Sequence, residues 1–311
     1  MIKYYAISAN GTQLTNDPTS AQWIRLQDPS QEEIYEIIDT YKLPDGLFIM
    51  EDYPDEVSRY EKIYSQDHDS LAELVLFNLN HDEHLPMEDQ LQPISFIFSE
   101  NFVISCANQG SETIDTFLDE NHHHIYSVEL FIIHIIHFIY HHFAFELDTM
   151  KRVIDRLDQN ARVTTKNEEL FLLADTEREL VYLDHTLEDQ ALALKNLWND
   201  EAFIQRANNP SLVYDVKLVQ RHVDKKIRIY RDLLKSIGGL FSDIMSNRLN
   251  NLMKYLDTLG LIISIPTLIS GIWGMNNHVP GQDTTQGFWA VMIFAAIVTI
   301  VFSLFIKNKK F

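Results

Sequence analysis

Apolar side chains divide the chain into segments of different kinds. Over residues 1–110 short apolar runs alternate with polar stretches. Residues 1–8 and 23–26 predict strands, and residues 30–41 predict a helix. Ser30 caps that helix with Glu33 three positions on, the spacing of a capping box. Residues 74–79 predict a further strand, and the runs 94–98 and 102–106 flank Ser99-Glu100-Asn101 as a hairpin. From Glu112 onward the spacing is helical almost throughout. After the break Asn208-Asn209-Pro210, Ser211 stands where it can cap a helix that meets no proline until Pro266. Read through to Met275 that helix has 65 residues, about 97 Å at about 1.5 Å per residue. Gly238-Gly239 is its weakest point. So long an amphipathic helix outgrows one small domain and is expected to pack on copies of itself.

Two stretches near the end are apolar on every side. Residues 288–306 carry no charge and only Thr299 and Ser303 as polar interruptions. Their nineteen residues extend about 28 Å as a helix, close to the roughly 30 Å hydrocarbon core of a bilayer. Residues 258–275 are also uncharged, with Pro266 in the middle, an interruption that membrane helices tolerate. A third apolar run, 128–145, carries Glu129, His134, His137, His141 and His142. It is expected to be a buried helix of a soluble domain. Arg248 and Lys254 precede the first span, Lys307, Lys309 and Lys310 follow the second, and residues 277–287 between them hold no Lys or Arg. The positive-inside rule then puts both termini in the cytoplasm and the short loop outside. The expected organisation is a cytoplasmic α/β domain at 1–122 and a helical stalk region at 123–251. A first span at 252–276, an outer loop at 277–287, a second span at 288–306 and a basic tail at 307–311 complete it. The expected fold class is α+β, with α/β layers in the cytoplasmic part, a long stalk helix and two C-terminal membrane helices.

Composition sharpens this picture. The chain has 25 Lys and Arg against 45 Asp and Glu, a net charge of −20. Residues 1–150 hold 27 acidic and 5 basic groups, and the remainder 18 and 20. So acidic a half repels nucleic acid and anionic lipid and attracts cations, which excludes a nucleic-acid binder. The single cysteine, Cys106, excludes an intramolecular disulfide and a cysteine zinc cluster, and its apolar run predicts a buried side chain. The first thirty residues show no basic segment followed by an apolar one, so no cleaved secretory signal is expected. No Gly-rich loop ends in Lys-Ser or Lys-Thr, and no Gly-x-Ser-x-Gly or His-Glu-x-x-His is present. Neither an enzyme nor an organic cofactor is expected. His134, His137 and His141 share a helix face at a spacing that suits Zn²⁺. Spacing alone does not make them converge, and polar positions on a packed helix are the favoured reading. Arg178 with Glu179 and Glu188 with Asp189 read as a solvated or intersubunit charged face.

The first span has one unusual face. Stepping alternately by three and four residues gives Asn250, Met253, Asp257, Gly260, Ser264, Thr267, Gly271 and Gly274, polar or small everywhere except Met253. Such a stripe suits a water-filled path shared by several copies or close helix packing through small residues. The lone carboxylate of Asp257 favours the water path.

At this point the sequence resembles the CorA family of divalent-cation channels. The resemblance rests on Gly274-Met275-Asn276 at the outer end of the first of two C-terminal spans. Ser246-Asn247, Asn250, Met253-Lys254, Leu256, Pro266, Gly271 and the basic C-terminus stand at the family's spacings. It covers residues 211–311 well and the N-terminal part loosely, through Trp23-Ile24-Arg25-Leu26 and the 94–106 hairpin. It implies a homopentameric funnel in a lipid bilayer that carries divalent cations, Mg²⁺ first, with the first span lining the pore. In it Gly274, Met275 and Asn276 form the selectivity filter, and Asn250, Met253, Asp257, Gly260, Ser264, Thr267 and Gly271 line the path. Met253 and Leu256 would form an apolar gate, and Asp215 a regulatory carboxylate for internal Mg²⁺. The chain departs from the family in Trp273 for a common Tyr, and in Val279-Pro280-Gly281, which leaves Asp283 as the loop's only carboxylate. Asp257 stands where Thr is common, and Ser264 where a bulkier apolar residue is. Two rivals stay open: a Zn²⁺, Co²⁺ or Ni²⁺ transporter of the same architecture, proton-coupled in the manner of ZntB-like relatives, and a membrane-anchored sensor without conduction.

Overall fold

The computed structural model describes every residue except 9–10, 45–46, 49–56, 69, 81–84, 108–112, 163–166, 276–283 and 309–311, and omits the side chains of 120–122 and 307–308. Two compact units result, Met1–Gly238 and Gly239–Phe311. The strands are β1 (Ile2–Ser8), β2 (Gly11–Thr15), β3 (Trp23–Gln27), β4 (Arg59–Ile63), β5 (Leu71–Leu79), β6 (Leu91–Phe98) and β7 (Val103–Ala107). The helices are α1 (Gln31–Tyr41), α2 (Met87–Gln90), α3 (Thr113–Asn121), α4 (Val128–Ala161), α5 (Asn167–Trp198), α6 (Glu201–Ala207), α7 (Pro210–Trp273) and α8 (Thr285–Asn308).

One seven-stranded sheet organises the first unit in the order β2-β1-β3-β7-β6-β5-β4. The β3–β7 pair is parallel and the other pairs are antiparallel. Side chains alternate across the central strands as the two-residue period requires. Ile24, Leu26, Ile104 and Cys106 face a cluster with Ile34, Ile37 and Ile38 of α1. On the other face Trp23 meets Phe131 of α4 at 4.6 Å between ring centroids, and its indole N–H donates to Ser105 Oγ at 2.9 Å. Cys106 is buried, and burial pushes its thiol up to about 12. The expected inert core cysteine is therefore what the fold contains.

The predicted strands and α1 are present, and Ser30 and Glu33 form both halves of the capping box. Strands β2 and β4 were not expected. Both are edge strands, Gly-Thr-Gln-Leu-Thr and Arg-Tyr-Glu-Lys-Ile, and edges of a sheet favour polar, charged sequences over an apolar run. The start of α7 corrects another expectation. Asn209, not Ser211, caps it, its Oδ1 accepting from Leu212 N–H at 3.1 Å. Pro210 then takes the first helical position, where its missing N–H costs nothing.

Helix α4 is apolar enough to cross a membrane, yet 61% of its most apolar window is buried within the protein. Glu129 near its start is buried and accepts from Arg206 Nε of α6 at 2.7 Å. That pairing makes burial of a carboxylate tolerable. The lower part of α7 buries Val213, Val216, Val223, Ile227, Tyr230, Leu234 and Ile237, steps of three, four and seven that make a seam like that of a coiled coil. Lys226 reaches Asp148 of α4 at 2.6 Å and Arg231 reaches Asp184 of α5 at 2.7 Å. The helix continues without interruption through Gly238 and Gly239, where the two units meet in sequence, and through Pro266.

Candidate functional site

Beyond Gly239 the chain presents two apolar helices, the upper part of α7 and α8. Their apolar windows are 0% and 6% buried, against 61% for α4. The few shielded positions are not random. On α7 from Thr258 onward they are Thr258, Leu259, Ile262, Ile265, Pro266, Ile269 and Trp273, and on α8 Gly287, Val291, Val298, Thr299, Phe302, Ser303 and Ile306, with Ala295 buried. Each set occupies one face at helical spacing, and this second unit contains no other described helix to cover them.

At about 100° per residue the covered α7 positions centre roughly half a turn from the line through Asp257, Gly260, Ser264, Thr267, Gly271 and Gly274. All six of those residues are exposed, as are Asn250, Met253 and Leu256. The stripe thus lies opposite the side that the chain covers. Gly260, Ser264, Thr267, Gly271 and Met275 line an open groove of about 820 Å³, flanked by Ile263, Leu268 and Ile272.

Backbone chemistry sets what this face offers. Ser264 Oγ donates to Leu261 O and Thr267 Oγ1 donates to Ile263 O, each at 2.8 Å. Thr258 Oγ1, on the covered side, does the same to Lys254 O at 2.8 Å. A hydroxyl has one proton and two lone pairs. With the proton committed to the helix, what remains for a ligand is acceptor capacity. The stripe thus presents the Asp257 carboxylate and two hydroxyl acceptors among small residues, in a groove whose lining is otherwise mainly apolar.

The glycines differ in their causes. A Cβ on Gly260 or Gly271 would meet nothing within 4 Å, so packing inside the chain does not demand glycine there. A Cβ on Gly274 would sit 3.2 Å from Ser270 O. Gly274 N–H also donates to Ser270 O at 2.9 Å as the helix ends. Met275 is exposed, while Asn276 and Asp283 lie outside the described residues, as does most of the 277–287 loop.

Asp215 stands far down α7 in the first unit and is exposed. It makes no pair with Lys217, whose ammonium lies over the Trp198 ring, 5.5 Å from the centroid. Instead its charge is felt by His137 of α4. Burial and the neighbouring His141 hold the His137 ring below its ordinary pKa, and Asp215 pulls it back up. The three histidines of the α4 face do not converge. His137 Nε2 and His141 Nε2 approach to 3.2 Å, and the His134 ring contacts that of His124, 6.4 Å between centroids. Burial, then His124 and His137, push His134 down to about 4. Among the described residues no three His, Cys, Asp or Glu side chains are grouped to hold a metal. Sequence reasoning found the histidine face and Asp215 separately. Their approach depends on how α4 packs on α7, which no local pattern encodes.

The sequence profile of the CorA-like Mg2+ transporter protein family matches residues 19–309. The Cobalt/magnesium transport protein CorA of Methanocaldococcus jannaschii is 32% identical over 74 residues, 24% of this chain and 23% of that relative's length. The solved complete structure of the CorA magnesium transporter from the same organism matches with a TM-score of 0.79 at 18% identity, covering 100% of this chain and 98% of that one. The ZntB cytoplasmic domain from Vibrio parahaemolyticus matches with a TM-score of 0.63 at 14% identity, over 80% of this chain and 98% of that one.

Proposed function

The chain belongs to the CorA-like Mg2+ transporter family, and on that premise we propose that it mediates Mg²⁺ uptake driven by the membrane potential through a homopentameric channel. Family membership makes it a divalent-cation transporter of the membrane, not an enzyme, and its fold is that of full-length CorA. In this reading both termini are cytoplasmic, the upper part of α7 lines the path, and α8 stands outside it.

The observation that carries the proposal is the stripe from Asp257 to Gly274, opposite the side covered within the chain and made of acceptors and small residues. Mg²⁺ dehydrates reluctantly, so a hydrated ion presents water O–H groups outward. Back-bonded hydroxyls at Ser264 and Thr267 accept from those waters. The amide oxygens of Asn276 would do the same at the outer mouth, as the Gly274-Met275-Asn276 filter. Asp257 lies nineteen residues before Asn276, about 28 Å along a helix, and would concentrate cations at the inner mouth. Met253 and Leu256 provide the apolar constriction there. A divalent ion moving through 100 mV gains about 4.6 kcal/mol, twice about 2.3 kcal/mol per charge, so no nucleotide is required.

Gating by internal divalent cation is assigned to the acidic cytoplasmic part. Copies of a chain at −20 repel one another unless cations bridge them. Asp215, exposed on α7, is the bridging carboxylate in this reading.

A second reading keeps the architecture and changes the ion to Zn²⁺, Co²⁺ or Ni²⁺. The carboxylate at Asp257 in the stripe and the match to a ZntB cytoplasmic domain support it. Liposomes loaded with ion-selective dyes separate the two. Faster Mg²⁺ than Zn²⁺ or Co²⁺ entry under an inside-negative potential, independent of a pH gradient and abolished in Asn276→Ala, supports the first reading. Zn²⁺ entry accelerated by a proton gradient supports the second.

A further inference from the structure

A close pair of metal-ligating side chains lies outside the stripe on α7. His137 and His141 stand one turn apart on α4. Their Nε2 atoms are 3.2 Å apart and their rings meet edge to face, 4.5 Å between centroids at 78°. With metal–nitrogen bonds of about 2.0–2.1 Å, this separation subtends about 100–106° at a shared ion, close to tetrahedral. His137 is half-buried, so its ring is held by packing, while His141 is exposed and open to solvent.

We propose that His137 and His141 form a binding site for one first-row divalent transition-metal ion. Water completes the coordination, since no third His, Cys, Asp or Glu joins the pair among the described residues. Paired imidazoles suit Zn²⁺, Co²⁺, Ni²⁺ or Cu²⁺ and not Mg²⁺, which takes oxygen ligands in octahedral geometry. The site therefore discriminates between the two ion classes whether or not the protein conducts either, and it does not rest on the transport reading.

The test uses the full chain in nanodiscs, purified without a polyhistidine tag, titrated with Co²⁺ by its visible absorption. Continuous-wave EPR of Cu²⁺ then counts nitrogen ligands. The expected result is one Co²⁺ equivalent that millimolar Mg²⁺ leaves in place and that His137→Gln/His141→Gln lacks. His141→Gln, at an exposed position that keeps the fold intact, should weaken the site at least about tenfold and drop the EPR count by one nitrogen. If wild type and the double variant bind the same number of equivalents with equal affinity, or if Mg²⁺ displaces the Co²⁺, the two rings only hydrogen-bond to each other and the proposal fails.

Discussion

Replacing Thr267 with Val keeps the shape of the side chain and removes one hydroxyl from the stripe. Among the described residues that hydroxyl makes one hydrogen bond, donating to Ile263 O at 2.8 Å. Such a bond contributes about 0.5–1.5 kcal/mol net, so the helix and the assembled protein should tolerate its loss. Transport should not. If the hydroxyl oxygen accepts from the water shell of a passing ion, each lost contact raises the barrier by about 1 kcal/mol, or about fivefold in rate. An ion that touches the hydroxyls of two copies at once loses about 2 kcal/mol, or about thirtyfold. The assay is Mg²⁺ entry into proteoliposomes at a fixed inside-negative potential, normalised to incorporated protein of verified oligomeric size. A five- to thirtyfold slower entry is expected, with unchanged helix content. Entry at the wild-type rate would refute the assignment of acceptor roles to the stripe.

Other consequences are equally direct. Gly271→Ala places its Cβ where no described residue beyond the neighbouring helix backbone lies within 4 Å, so thermal unfolding in detergent should be unchanged or slightly raised, while Mg²⁺ flux falls. Arg206→Met strands the Glu129 carboxylate, whose side chain is only 6% exposed. It should destabilise the first unit by about 3–5 kcal/mol, read by chemical denaturation, with Glu129→Gln in the same chain restoring part of the loss. Asp115 receives Arg25 Nη2 at 2.7 Å, and that bond holds its carboxyl below the ordinary 3.8. A depressed folded pKa contributes stability that is present above about pH 4 and lost as pH falls through the folded value. Asp115→Asn should therefore flatten the acid limb of the stability curve below pH 4.

The parts of the fold that a linear pattern encodes were legible from the sequence. Helix α1 announced itself by Ser30 and Glu33, and α8 by an uninterrupted apolar run. What separated α4 from α7 was subtler, because both contain windows apolar enough to span a bilayer. Glu129 and the histidines gave the difference away, and the structure supplies the cause: Glu129 is paired with Arg206 from a distant helix. Edge strands β2 and β4 escaped because their solvent-facing sequences resemble loops. The stripe was legible as a period, but its meaning depends on which face α8 leaves uncovered. That relation, like the approach of Asp215 to His137, belongs to packing.

The most direct test of the water path uses the chain's own cysteine content. Cys106 is the only cysteine and is buried, so it stays silent to a membrane-impermeant thiol reagent, which needs water to form the reactive thiolate. Single substitutions Ser264→Cys and Thr267→Cys, set against Leu261→Cys and Ile269→Cys, should be compared in proteoliposomes by labelling rate. Fast labelling is expected at 264 and 267 and slow labelling at 261 and 269. Equal, slow labelling at all four positions would mean that the stripe meets lipid or a dry helix contact, and the channel reading would be wrong.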